Sequence, residues 1–204
     1  MKRPGVGGLA ADLRRYLEHK NSLFSPEISE VIADVNRLTS SILSDGFQTA
    51  IAQLQNAAGL GQNRPFIEVC DSIIEHHLRI IKEGDREIIG KSLFEAYIYL
   101  AGAEHVFEPA NKTRVLSFLR QHGTKDFAAL FLSLHLFNLV CNEIRDDVRA
   151  RMPDQRSFEL YMVGIEAVCR DFVTAAMKIP AAALDQRWAA AVCANIETQL
   201  LKRR

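Results

Sequence analysis

Apolar residues along the chain recur at intervals of three and four, and the period-two alternation of a half-buried strand is nearly absent. Helix start and stop residues divide this pattern cleanly. A first helix is expected over about Leu9 to Lys20. Ser25-Pro26-Glu27 combines an N-cap residue, a proline at the first helical position and an acid at the positive end of the dipole, so it opens a helix to about Ser44. Asp45-Gly46 interrupts it, and a shorter helix follows to about Ala58, before Gly59 and Gly61. Pro65 opens the next, which runs to Glu83 and stops at Gly84. Asp85 caps a helix reaching Phe107, ahead of Pro109. A short helix from about Lys112 to Gln121 is closed by Gly123, and Thr124 caps a long one ending before Pro153. Asp154 caps a helix to about Lys178, and Pro180 begins a last, alanine-rich one that finishes near Lys202-Arg203-Arg204. The pattern describes an all-α, single-domain bundle of about eight or nine helices over residues 9–204, with a flexible tail over 1–8 and a central apolar helix near 125–151.

At about 100° per residue the long helices divide into faces. Ile28, Val31, Val35, Leu38 and Ile42 form a narrow stripe spaced three, four, three, four, which fits either a homodimer seam or packing on the chain's own body. Glu68, Asp71 and Glu75 gather on one side of their helix, opposite Phe66, Cys70, Ile73, Ile74 and Ile81, so they are expected in solvent. His77 falls in the middle of that apolar side, with His76 at its boundary. Glu104 aligns with Leu93, Tyr97 and Leu100, where a carboxylate needs a donor, water or an exit at the helix end. His135 and Asn138 sit among Leu134, Leu136, Phe137 and Leu139, and their polar stripe continues through Asn142 and Arg145 toward the charged half of the helix. Tyr97, His135, Asn138 and Asn142 are therefore the candidate ligand-binding residues, and Glu104, His77 and His135 the candidate acid/base residues.

Composition narrows the function classes. Of 204 residues, 48% are hydrophobic and 25% charged, which suits a globular domain rather than a disordered one. The 25 basic and 25 acidic residues cancel and are interleaved, which argues against a nucleic-acid partner held by phosphate neutralisation. The longest apolar run, Phe127 to Val140, is too short to span a bilayer, and no secretory signal is read at the N-terminus. Cys70, Cys141, Cys169 and Cys193 lack metal-binding spacing and read as reduced thiols of a cytoplasmic protein; no metal site is expected.

Two short patterns suggest chemistry. Glu27-x-x-Glu30 and Glu68-x-x-Asp71 resemble the acidic pairs of all-α nucleotide pyrophosphohydrolases, which hold magnesium between helices, although the usual third acid is missing. Arg14 and His19 resemble the Arg-x4-His pattern of helical HEPN-type ribonucleases, in which the arginine stabilises phosphate charge and the histidine moves a proton; here the pattern lies in the first helix rather than late in the chain. No dinucleotide loop, P-loop, nucleophile elbow or HExxH is present, and no cofactor is implied by motif; an axial histidine for haem would have to be His77 or His135.

The expectation from these features is a non-enzymatic helical binding domain, a regulatory, adaptor or sensor module engaging a partner protein or a mostly apolar small ligand between its helices. The alternatives are an enzyme with an interior acid–base pair built from Glu104 and His77 or His135, and a HEPN-like or all-α nucleotide hydrolase.

Overall fold

A computed structural model describes residues 6–54, 64–81, 85–102 and 111–201, and among them the structure is helical without a strand. Eight helices follow in order: α1 (Val6–Leu17), α2 (Ile28–Asp45), α3 (Phe47–Ala52), α4 (Phe66–Leu78), α5 (Arg86–Ala101), α6 (Asn111–Arg151), α7 (Gln155–Ala176) and α8 (Gln186–Leu200). Helix α1 begins inside the stretch expected to be a tail. Helix α5 stops at Ala101, where Gly102 at φ 80° and ψ 119° leaves the helical region, and so ends short of the Phe107 expected for it; Glu104 to Pro109 and the terminal cations Lys202 to Arg204 lie outside the described residues.

Two helices organise the packing. Helix α6 touches α1, α2, α5 and α7, and α2 touches α3, α4, α6 and α8. The composition of α6 explains its place: from Phe127 to Cys141 no residue is fully exposed. Helix α2 is enclosed in the same way, with Val31 to Asn36 all buried, so the stripe Ile28, Val31, Val35, Leu38 and Ile42 is consumed by the chain's own core. A homodimer would need some other surface.

Among the described residues one helix, Thr113–Arg151 within α6, is long and apolar enough to cross a membrane by length and composition, and half of its most apolar stretch is buried inside this chain. The core helix of a water-exposed bundle has the same composition.

Capping accounts for several boundaries. The Asp154 carboxylate accepts from Ser157 N at 2.7 Å, and Asp185 accepts from Trp188 N at 3.0 Å. The second of these corrects the start expected at Pro180. The side-chain cap stands at Asp185, and residues 180–184 form a connection tied to α2 by Asn36 Nδ2 donating to the Leu184 carbonyl at 3.0 Å. Ser25 does not cap α2, because its hydroxyl has no partner among the described residues; the first turn is instead closed by the backbone of Ser25 and Glu27. Between α1 and α2, the Glu197 carboxylate of α8 gathers three donors, Ser22 Oγ, Leu23 N and Phe24 N, at 2.7, 2.7 and 3.1 Å.

Positive φ marks Gly46, Gly102 and Gly123, and a close approach between helices marks Gly164. Gly164 lets α1 approach α7, since a Cβ there would lie 2.6 Å from Leu9 Cδ1. Gly123, at φ 81° and ψ 171°, breaks α6 into the short and long helices expected on either side of it. That backbone conformation is nearly confined to glycine, and a Cβ at Gly123 would meet no atom within 4 Å. Gly123→Ala is therefore expected to cost about 1–3 kcal/mol of unfolding free energy through backbone strain alone, measured by chemical denaturation. An unchanged midpoint would mean that the break at Gly123 is not a fixed feature of the fold.

Candidate functional site

A cluster of ionisable groups lies where α2, α4 and α5 meet. Asp34 comes from the enclosed stretch of α2, and His77 from the inward face of α4, where it is wholly buried. His77 Nδ1 lies 2.6 Å from Asp34 Oδ2, and His77 Nε2 lies 3.0 Å from the Tyr97 hydroxyl of α5. An ionised carboxylate can only accept, so Nδ1–H donates to Asp34; with the buried imidazole neutral, Nε2 is bare and the Tyr97 O–H donates to it. The Tyr97 ring is nearly parallel to the imidazole and packs on Phe127 of α6, with ring centroids 5.1 Å apart.

Asp34 has further partners. Arg37 donates to its other oxygen, Oδ1, at 2.7 Å, and His76 Nε2 stands 3.3 Å from Oδ2. Burial alone would raise the Asp34 pKa, but the hydrogen bonds from His77 and Arg37 outweigh it and hold the carboxyl at about 2. Burial depresses the basicity of His77 more than Asp34 raises it, so the imidazole is neutral. Burial likewise lifts Tyr97 well above the usual phenol value. The result is a closed chain of hydrogen bonds, phenol to imidazole to carboxylate, in which both nitrogens of His77 are engaged. One ligand atom from each of Asp34, His76 and His77 lies within 4.8 Å of the others.

His135 is the opposite case. It is 1% exposed, stacks with Phe24 and Phe131 at centroid distances of 6.0 Å each, and leaves Nδ1 without a partner among the described residues. Burial with no compensating charge lowers its pKa to about 3. Asn138 is satisfied: its amide donates to Ser92 Oγ at 3.1 Å and to Glu95 Oε2 at 2.8 Å, clamping α6 to α5. Asn142 is exposed, one turn further toward solvent.

The candidate ligand residues are therefore not brought together. Tyr97 belongs to the Asp34 chain, Asn138 to the α5–α6 clamp, His135 to an aromatic stack and Asn142 to the surface. Glu104 lies outside the described residues, so its pairing with either histidine finds no description; the carboxylate that meets His77 is Asp34. Glu68, Asp71 and Glu75 are exposed. Arg14 and His19 face different partners, Arg14 the Gln199 carbonyl and the Phe172 ring, His19 the Glu143 carboxylate. All four cysteines are free, and burial pushes Cys141 up to about 11 and Cys193 to about 12, so both are thiols rather than thiolates.

Concavities are present at two places. A small one, about 40 Å³, is lined by Leu17, Lys20, Ser22, Leu23, Leu139, Val140 and Glu143. A larger, more open groove of about 470 Å³ runs between α2 and the connection into α8, past Asn36, Arg37, Ser40, Ser41 and Leu184. Neither is lined by Tyr97, His135, Asn138 or Asn142. No protein-family model, no curated protein and no solved structure matches the chain.

Two outcomes follow from this geometry. The folded-state pKa of His135 is about 3 against an ordinary 6.5, so below pH 6.5 the unfolded chain binds a proton that the fold refuses. Stability is complete above 6.5 and is lost as pH falls toward 3, with His77 acting in the same direction. Denaturation at pH 6.5 and pH 4.5 should show His135→Phe retaining roughly 2–3 kcal/mol that the parent loses over this interval; equal losses would show that His135 is protonated inside the fold. Asp34→Ala, which strands the His77 N–H, is expected to cost about 1–3 kcal/mol at neutral pH by the same method, and a neutral substitution would contradict the hydrogen-bonded chain.

Proposed function

We propose that the chain is a non-enzymatic helical binding domain, of regulatory or sensor type, that holds a small polar ligand with a carboxylate or phosphate group in the groove between α2 and the connection into α8. The groove itself carries this reading: it has about 470 Å³ of space, with the Arg37 guanidinium and the Ser40 and Ser41 side chains along one wall and Ala33 and Leu184 supplying apolar contact. Arg37 is anchored by one nitrogen on Asp34 while its side chain stays 69% exposed, which leaves donors free for an anion. A ligand in this lining is more polar than the mostly apolar one expected from the helix faces.

Binding rather than turnover is favoured because the histidines and Tyr97 stand away from the groove, and the one carboxylate in its lining, Asp185, is engaged as the cap of α8. His77 has both nitrogens occupied, and His77, His135 and Tyr97 are each at most 1% exposed. A general acid or base has to come within hydrogen-bond reach of a substrate. The buried thiols Cys70, Cys169 and Cys193 accord with a reducing compartment, so the proposed location is cytoplasmic.

The test is a thermal-shift and calorimetric screen against small carboxylates and phosphates. At least one compound should raise the melting temperature, and both Arg37→Ala and Ser40→Leu, which obstructs the groove without touching Asp34, should weaken its binding about tenfold or more. No shift across the panel, or a shift that both variants retain, would contradict the reading.

A further inference from the structure

We propose that Asp34, His76 and His77 form a binding site for one divalent transition-metal ion of the zinc class. The observation behind it is the crowding of donors on a single carboxylate oxygen. Asp34 Oδ2 faces two imidazole nitrogens at once, His77 Nδ1 at 2.6 Å and His76 Nε2 at 3.3 Å. Consecutive residues on a helix point about 100° apart, so two neighbouring histidines rarely address one point. Here they do, at the last turn of α4, where the hydrogen bonds Arg79 N to His76 O and Ile80 N to His77 O tighten the helix end.

Geometry and donor chemistry agree with such an ion. Two imidazoles and a carboxylate are an N2O set, preferred by zinc and its first-row neighbours over calcium or magnesium, which take oxygen. With metal–ligand bonds near 2.0–2.2 Å, tetrahedral ligand atoms stand about 3.3 Å apart. The His76–Asp34 pair is already at 3.3 Å, and the His77–Asp34 pair has to open from 2.6 Å to that separation. The fourth position falls to water, because the site reaches solvent on one side: the His76 side chain is 28% exposed and that of Asp34 11%.

The surrounding groups are placed as supports for the ligands. Arg37 holds the non-ligating oxygen of Asp34, and Tyr97 stands on the non-ligating nitrogen of His77. Coordination through Nδ1 moves the His77 proton to Nε2, so the imidazole stays neutral and the Tyr97 oxygen changes from donor to acceptor. His76 binds through Nε2 with its proton on Nδ1. No net proton is released from the two imidazoles.

The experiment is titration of the chelator-treated full chain with Zn2+ by calorimetry and with Co2+ by visible absorption, which reports a non-octahedral site through its d–d bands. The expected result is one ion per chain with a dissociation constant below about 10 μM. His76→Ala changes a partly exposed side chain and should leave the circular dichroism unchanged while weakening binding about 100-fold or more. Tyr97→Phe should weaken it about tenfold, through loss of the group that orients His77. A dissociation constant above about 10 μM, or tight binding that His76→Ala leaves intact, overturns the proposal.

Discussion

A carboxylate carried into a helical core has to find its donors inside that core, and the Asp34–His77 hydrogen bond is how this fold meets the requirement. The bond joins α2 to α4. Tyr97 extends it to α5, and the contact of Tyr97 with Phe127 carries the connection into α6. A second polar contact, Asn138 with Ser92 and Glu95, fixes α5 on α6 independently. Apolar packing between helices permits sliding and rotation at modest cost, whereas a directional bond at 2.6 Å permits little. The register of the four helices is therefore set by a few polar atoms within a core that is otherwise greasy.

His135 shows what such a group costs when no partner comes. It occupies the apolar half of α6, where it stacks with Phe24 and Phe131 and Nδ1 is left unsatisfied among the described residues. The fold tolerates it by keeping the imidazole neutral, which makes acid the condition under which this core is weakest. His77 shares the dependence, but its partners make it the better-held of the two. The same enclosure keeps His77 and His135 out of the lining of the surface groove beside Arg37. Arg37 is the hinge between the two regions, with one nitrogen on the buried carboxylate and its side chain along the groove wall.

Much of the fold was legible because helix punctuation is local. Asp45-Gly46, Pro65, Asp85, Gly123 and Asp154 all stand at or beside real boundaries. The burial of His77 was legible from helical angle, since Ile73, Ile74, Ile80 and Ile81 flank it at three and four residues, and that of His135 and Asn138 from their place in the apolar run Phe127 to Val140. Asp34 was not found. It follows Val31 by three and precedes Leu38 by four, so it lies on the edge of the apolar stripe, but a narrow seam of apolar positions does not reveal how completely α2 is enclosed. The start of α8 was misplaced because Pro180 and Asp185 are both valid openings, and only the Asp185 side chain makes the cap. The groove and the convergence of Asp34 with His76 join positions far apart in the chain, which no local pattern carries.

The direction of the hydrogen-bonded chain through His77 is tested most directly by the tautomer of that imidazole. Long-range nitrogen–proton correlation NMR on the metal-free chain at neutral pH should find His77 neutral, protonated on Nδ1 and bare on Nε2. An imidazolium, or a proton on Nε2 with Nδ1 bare, would contradict the account.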